Sequence, residues 1–152
     1  MIDIKNKVAF ITGGSKGIGY GVAQVLMAEG MKVAITSRSQ AAAEEAAEEL
    51  NKSGHGEAFG VASDVRSLDS QKQAVEKVIA HFGQIDLLLA NAGIGHFASI
   101  EDMTEAQWNE TIDTNLTGVF FSVKACLDAL KASRGFLITL SSLAGTNFFA
   151  GG

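Results

Sequence analysis

The stretch TGGSKGIG, residues 12–19, lies between a run of apolar residues and a segment with helical spacing. Residues 8–12 (VAFIT) are predicted to form a buried strand, and apolar residues recur after the stretch at helical intervals. Glycines at such a turn let the backbone approach a pyrophosphate closely, and the following helix supplies free N–H groups and a partial positive charge. Residues 12–19 therefore predict a phosphate-binding turn, with an ordinary glycine-rich turn as the alternative.

The glycine spacing differs from two better known phosphate-binding patterns. The pattern G-x-G-x-x-G is incomplete because Val22 stands at the place of its last glycine. A P-loop is excluded because Lys16 is followed by Gly17 and not by serine or threonine. On its own, the turn indicates a dinucleotide without identifying it.

Short apolar runs alternate with longer amphipathic runs along the whole chain. Strands are predicted at residues 8–12, 33–36, 58–62, 85–90 and 136–140. Strands that alternate with helices favour an α/β fold, with a parallel sheet covered by helices on both faces. No linker or repeat interrupts the pattern, so we expect one domain over residues 1–152.

Two of the predicted helices have features that the structure can test. The first helix carries apolar residues at positions 18, 22, 25 and 26, which fall at helical spacing. A long helix is predicted over residues 108–130.

Composition excludes several classes of protein. The formal net charge of the 152 residues is −5, which argues against nonspecific nucleic-acid binding because that needs a basic face. A single cysteine excludes an intrachain disulfide, and no run of residues is apolar enough for a signal peptide or a membrane span. No Cys, His or carboxylate cluster has metal-ligand spacing. We therefore expect a soluble cytoplasmic protein without a metal and without nucleic-acid or membrane partners.

Further motifs follow the glycine turn in order. Asp64-Val65 follows the third strand, Asn91-Ala92-Gly93 closes the fourth, Asn115 lies in the long helix, and Ser141-Ser142 ends the fifth strand. Together with Thr-Gly-x-x-x-Gly-x-Gly at residues 12–19, they resemble the short-chain dehydrogenase/reductase family over the whole chain. The resemblance implies a Rossmann-type doubly wound parallel sheet with strand order 3-2-1-4-5 in the part present. It also implies NAD(P)(H)-dependent hydride transfer between nicotinamide and a carbonyl or alcohol substrate.

The resemblance also implies roles for individual residues. Asp64 would accept a hydrogen bond from the adenine amino group, Val65 would pack on the ring, and Asn91-Ala92-Gly93 would brace the sheet beneath the ribose. Asn115 would bend the long helix and hold a water molecule in a proton relay. Ser142, with Ser141 as the alternative, would polarise the substrate carbonyl. The predicted cofactor-binding residues are Gly13, Ser15, Lys16, Gly17, Ile18, Gly19, Ser37, Arg38, Asp64, Val65, Asn91, Ala92 and Gly93.

Each of these roles has a simpler alternative. Asp64 could be the N-cap residue of a helix, because aspartate is favoured at that position. Asn91 could belong to a simple turn, because asparagine is common in turns. Asn115 is also compatible with a solvent-facing position. The two serines are also compatible with the plain end of a strand.

The choice of cofactor follows from charge at the end of the second strand. NAD-dependent enzymes place an acidic residue there, on the ribose 2′-hydroxyl, whereas this chain reads Ser37-Arg38. Arg38 and Lys16 would instead pair with a 2′-phosphate, although two solvated surface cations are the alternative. NADP(H) is the predicted preference, with NAD(H) as the second possibility.

The family's catalytic tyrosine and the lysine one helical turn after it do not appear after Ser142, and the one tyrosine present is Tyr20. We therefore expect a domain that is incomplete at its C-terminus and belongs to a longer enzyme. A catalytically inactive NADP(H)-binding module is the alternative. The resemblance also suggests a homodimer or homotetramer, with the long helix contributing one interface.

Overall fold

The computed structural model describes residues 3–147, and these residues form one parallel sheet with helices on both faces. The strands are β1 (Val8–Ile11), β2 (Lys32–Ser37), β3 (Glu57–Ala62), β4 (Leu87–Ala90) and β5 (Phe136–Thr139). The helices are α1 (Gly17–Ala28), α2 (Gln40–Asn51), α3 (Leu68–Phe82), α4 (Glu105–Ile112) and α5 (Gly118–Ser133). The strand order is β3-β2-β1-β4-β5, which confirms the predicted doubly wound α/β fold.

The sheet separates two apolar cores because its side chains alternate between the two faces. Ala9 and Ile11 of β1 belong to the core beneath α1 and α2. Phe10 of the same strand belongs to the core beneath α3 and α5. All four residues of β1 are at most 1% exposed, so this strand is the centre of the fold.

The fully buried positions of helix α1 include small residues as well as a large apolar one. Its buried residues are Gly19, Ala23 and Met27, whereas Ile18 and Val25 are each 63% exposed. Residues spaced by four lie on one side of a helix, and the small side chains of Gly19 and Ala23 allow close packing on the sheet. The predicted helix is confirmed. Of the four apolar residues whose spacing predicted it, Val22 and Leu26 pack against the core, and Ile18 and Val25 are exposed.

The long helix is interrupted by a wider turn. A π-helical turn, Asp113–Thr117, joins α4 to α5. Such turns insert an additional residue into a helix and are frequent at functional sites. Asn115 lies within this turn, at the place where the sequence predicted a bend.

The cap of α3 excludes one alternative for Asp64. The side chain of Ser67 accepts a hydrogen bond from the Ser70 N–H group and is the N-cap residue of this helix. Asp64 therefore does not cap α3, and its carboxylate is available for other contacts. None of the helices in the described part of the chain has the length and apolar character that a bilayer span requires.

Strand β5 is an edge of the described sheet, paired with β4 alone. All four of its residues are exposed, and Phe136 is 56% exposed. Apolar edges of this kind pair readily with other strands.

Packing of α2 on β3 depends on Gly60, which gives the first prediction. A Cβ atom at this position would overlap the carbonyl group of Ala43 in α2. We expect Gly60→Ala to lower the free energy of unfolding by about 1–3 kcal/mol because the backbone must shift. The matched control is Gly21→Ala in α1, where an added Cβ meets no atom within 4 Å. This control should leave stability unchanged or raise it by up to about 1 kcal/mol. Urea unfolding measures both variants, and equal midpoints would contradict the packing described.

Candidate functional site

A groove opens at the carboxyl ends of the strands, between β1 and β4. The chain winds from β1 towards β3 on one side and from β4 towards β5 on the other, so the crossover connections diverge at this point. Open α/β sheets bind ligands in such a crevice. The predicted residues that line the groove are Gly13, Ser15, Lys16, Gly17, Ile18, Ser37, Arg38, Asp64, Val65, Asn91, Ala92 and Gly93.

The glycine turn forms one wall of the groove. Gly13 and Gly17 have φ values of +65° and +61°, which a residue with a side chain rarely adopts. Helix α1 then begins at Gly17 without a side-chain cap and without an acidic residue in its first turn. Its first N–H groups therefore face the groove unpaired, an arrangement that favours an anion.

Asn91 ties the loop after β4 to the glycine turn. Its side-chain amide donates to the carbonyl oxygens of Thr12 and Gly13 at 2.9 and 3.2 Å. The backbone N–H groups of Asn91 and Ala92 both donate to the buried hydroxyl of Thr12, at 3.0 and 3.1 Å. These bonds exclude the alternative that Asn91 is a simple turn residue.

Gly19 differs from the other predicted cofactor-binding residues because it does not line the groove. It is buried under Asn91, and an added Cβ would come within 2.5 Å of the Asn91 amide nitrogen. Its lack of a side chain lets α1 approach the loop after β4. The structure thus gives Gly19 a packing role, and its role in cofactor binding stays a prediction.

Arg38 after β2 and Lys16 in the glycine turn place positive charge in the groove, and the charge of Arg38 contributes to lowering the pKa of Asp64. No ion pair within residues 3–147 includes Lys16 or Arg38, although both line the groove. The neighbouring Ser37 also lines it, and β2 ends without an acidic residue. This part of the groove suits an anionic group.

Asp64 lies at the end of the groove beyond β3. Hydrogen bonds from Arg66 lower the pKa of this carboxyl group below its usual value, with partial burial acting in the opposite direction. Val65 is 7% exposed, and an added Cβ at Gly118 of α5 would come within 2.7 Å of it. Asp64 is therefore an ionised acceptor beside a buried apolar side chain.

The side chain of Asn115 is engaged with the loop after β4. Its carbonyl oxygen accepts from the Ile94 N–H group at 2.9 Å, and its amide donates to the Ile94 carbonyl at 2.8 Å. These bonds exclude the alternative of a purely solvent-facing residue. Both polar atoms of the side chain are used on the backbone, so its first function is to hold this loop. The predicted water relay stays a prediction.

The serines after β5 lie beside the groove and do not line it. Leu140 lines the groove, and its N–H group donates to the Ala90 carbonyl at 3.2 Å. Ser142 then begins a short 3₁₀ turn, Leu143–Gly145, and its hydroxyl accepts from the Ala144 N–H group at 3.2 Å. The Ser142 hydroxyl keeps its own hydrogen to donate. Its catalytic role stays a prediction.

Some groove residues were not identified from the sequence. Arg66 and Ile94 line the groove and bond to Asp64 and Asn115, respectively. The position of Arg66 two residues after Asp64 was the available signal. Within residues 3–147, no group of three or more His, Cys, Asp or Glu side chains is arranged to hold a metal ion.

Fold and groove together define a doubly wound α/β domain of the dinucleotide-binding type. The family model described as short chain dehydrogenase matches residues 7–152. The chain belongs to the short-chain dehydrogenase family.

Known relatives agree with this assignment. The chain is 40% identical to cis-2,3-dihydrobiphenyl-2,3-diol dehydrogenase of Paraburkholderia xenovorans strain LB400, over 93% of this chain and 52% of the relative. It is 37% identical to the 3-oxoacyl-[acyl-carrier-protein] reductase FabG of Escherichia coli K12, over 95% of this chain and 58% of the relative. The chain thus spans little more than half the length of these relatives.

A solved structure matches the fold closely. The alcohol dehydrogenase of the archaeon Thermococcus sibiricus, complexed with 5-hydroxy-NADP, superposes with a TM-score of 0.89 and 36% identity. The match covers 96% of this chain and 62% of the archaeal protein.

The brace between Asn91 and Thr12 gives the second prediction. We expect Asn91→Leu to lower the free energy of unfolding by about 1–3 kcal/mol because two carbonyl oxygens lose their donor. Asn109→Leu, at an exposed position of α4, is the control and should change stability by no more than about 0.5 kcal/mol. Guanidinium unfolding compares the two. Equal effects would show that the brace contributes nothing beyond a surface amide.

Proposed function

We propose that the chain is the nucleotide-binding part of an oxidoreductase that uses NADP(H) and acts on a small carbonyl or alcohol substrate. The observation that carries the proposal is the glycine turn at the uncapped start of α1, with Lys16 and Arg38 beside it. The bound cofactor would supply the hydride. The dehydrogenases and reductases among the relatives support this reaction class.

The groove fits the phosphates of such a cofactor. An added Cβ at Gly17 would meet no atom within 4 Å, so the space in front of the helix is open to a ligand. The pyrophosphate would be bound by the N–H groups at the start of α1, because they are unpaired and lie at the positive end of the helix dipole.

Specificity for NADP(H) over NAD(H) would come from charge. An acidic residue at the end of β2 would repel a 2′-phosphate, whereas Arg38 attracts it. Arg38 and Lys16 form no ion pair among the described residues, so a phosphate would not have to break one.

Around the nicotinamide end, the proposal gives roles to Ser142 and Asn115. Ser142 would donate its free hydroxyl hydrogen to the substrate oxygen and thereby polarise the carbonyl. Asn115 would fix the loop after β4 through Ile94 and take part in proton transfer through a water molecule. Tyr20 is excluded as the proton donor because it packs against the core on the α1 side of the sheet.

The cofactor preference gives the third prediction. We expect Arg38→Ala and Lys16→Ala each to weaken NADPH binding by about tenfold or more, because a charge-assisted hydrogen bond contributes about 1.5–3 kcal/mol. The same variants should leave NADH binding within about twofold. Cofactor fluorescence titration of the full-length protein measures both constants. Lys77→Ala, an exposed lysine of α3 that does not line the groove, is the control.

Three outcomes are decisive, two of the binding titration and one of a turnover assay on the same protein. Equal affinity for NADPH and NADH, unchanged by Arg38→Ala, would contradict the preference for NADP(H). Absence of saturable binding of either cofactor would contradict the whole proposal. NADPH binding without turnover of any carbonyl or alcohol by the full-length protein would identify the inactive binding module instead.

We also propose that the full-length protein is a homodimer or homotetramer that uses the exposed side of α4 and α5. Trp108, Leu116 and Phe120 are all more than half exposed along this side. Large apolar residues left exposed in this way are typical of protein–protein contact surfaces.

The oligomer gives the fourth prediction. We expect Phe120→Asp to shift the full-length protein towards monomer in sedimentation equilibrium, because a charge buried in an apolar contact is costly. Lys77→Asp, at an exposed position of α3 outside the proposed contact surface, is the control for a charge change. An unchanged mass for Phe120→Asp would place the contact surface elsewhere.

A further inference from the structure

Arg66 forms several hydrogen bonds with the carboxylate of Asp64. The Arg66 backbone N–H donates to Oδ1 at 3.0 Å. The Nε–H group lies 3.0 and 3.2 Å from the two carboxylate oxygens, and Nη2 donates to Oδ2 at 2.6 Å. This two-pronged geometry fixes the plane of the carboxylate as well as its charge.

The carboxylate still has room for one more donor. An ionised carboxylate accepts about four hydrogen bonds, and Arg66 supplies three N–H groups, of which Nε–H is shared between the two oxygens. Asp64 lines the groove, and its side chain is 32% exposed. The remaining acceptor site is therefore accessible to a ligand donor without displacing Arg66.

Helix α4 anchors Arg66 from the other side. Glu110 lies 3.8 Å from Nη1 of Arg66, and its second carboxylate oxygen lies 2.9 Å from Nε2 of His96. Arg66 thus lies between two carboxylates. Its charge is neutralised, in contrast to Lys16 and Arg38, so it is not suited to bind a further phosphate.

We propose that Arg66 is a positioning residue that makes the groove selective for a 6-aminopurine. It holds the Asp64 carboxylate at a fixed angle with one acceptor site directed at an exocyclic amino group, and Glu110 holds Arg66 in place. The inference rests on the proposed function, because it concerns the adenine end of the same cofactor. The 6-amino group is a donor that a 6-oxopurine lacks, so the discrimination is between adenine and hypoxanthine.

The test compares two ligands in the wild type and in Arg66 variants of the full-length protein. Calorimetry measures the affinities of NADP⁺ and of its hypoxanthine analogue, nicotinamide hypoxanthine dinucleotide phosphate. We expect the wild type to bind NADP⁺ about tenfold or more tightly than the analogue. The 6-oxo group of the analogue is an acceptor and would face the Asp64 carboxylate, which is also an acceptor. In Arg66→Ala this preference should fall to about threefold or less, because the carboxylate is free to rotate.

Two further variants distinguish the positioning of the Asp64 carboxylate from the effect of the Arg66 charge and from a general loss of structure. Arg66→Lys keeps the charge without the planar fork and should give an intermediate preference. Glu110→Gln should reduce the preference less than Arg66→Ala because it removes only the anchor. A variant that merely disturbs the fold would weaken both ligands equally and leave their ratio unchanged.

The ionisation of Asp64 provides an independent readout. Arg66 holds the pKa of this carboxyl group low, so its removal should move the titration of the Asp64 carboxyl carbon to higher pH in NMR spectra. An unchanged titration in Arg66→Ala would overturn the positioning role.

Failure of the inference and failure of the proposed function give different results. No saturable NADP⁺ or NAD⁺ binding by wild type would overturn the proposed function. NADP⁺ binding with the same adenine-to-hypoxanthine ratio in wild type and Arg66→Ala would overturn the inference alone.

Discussion

Hydrogen bonds between the Thr12 region and the Asn91-Ala92 segment are the constraint on which the groove depends. Divergence of the crossovers at β1 and β4 leaves a gap at the carboxyl ends of these strands, and any loop that borders it needs partners for its backbone groups. The Asn91 amide and the Thr12 hydroxyl supply those partners. Gly19 completes the arrangement because α1 can then lie against Asn91 without a side chain between them. The N–H groups at the start of the helix are thus held at one wall of the groove.

Charge divides this groove into regions with different chemistry. The cations Lys16 and Arg38 have no paired carboxylate in the described part of the chain, whereas Arg66 lies between Asp64 and Glu110. An unpaired cation attracts an anion, and a paired cation orients its carboxylate partner. The same residue type, arginine, therefore remains outside any ion pair at the end of β2 and orients the acceptor Asp64 at the end of β3.

The strands and the glycine turn were predictable because their signals are local. Apolar runs bounded by turn residues located β1 to β5 within a few residues, and the ordered motifs identified the strand order by resemblance. Hydrophobicity predicted only part of the buried face of α1, because the helix also packs through Gly19 and Ala23 and leaves Ile18 exposed. There the distance between helix and sheet decides which side chains are buried.

Long-range pairs account for what the sequence could not show in the site. The bonds of Asn115 to Ile94 span 21 positions, and nothing local to either residue indicates the other. Arg66 is close to Asp64 in sequence, but its contact with Glu110 joins residues that are far apart in the chain. The sequence motifs indicated candidate residues for the site, and only the tertiary structure showed which of these residues form pairs.

Amide hydrogen exchange of the full-length protein with and without saturating NADP⁺ tests the central claim most directly. The claim is that the start of α1 and the ends of β2 and β3 form one cofactor groove braced by Asn91. It predicts slower exchange on binding at residues 13–18 and 64–66, with little change at the opposite ends of the strands. Unchanged exchange at residues 13–18 under saturating cofactor, or protection confined to another part of the chain, would contradict it.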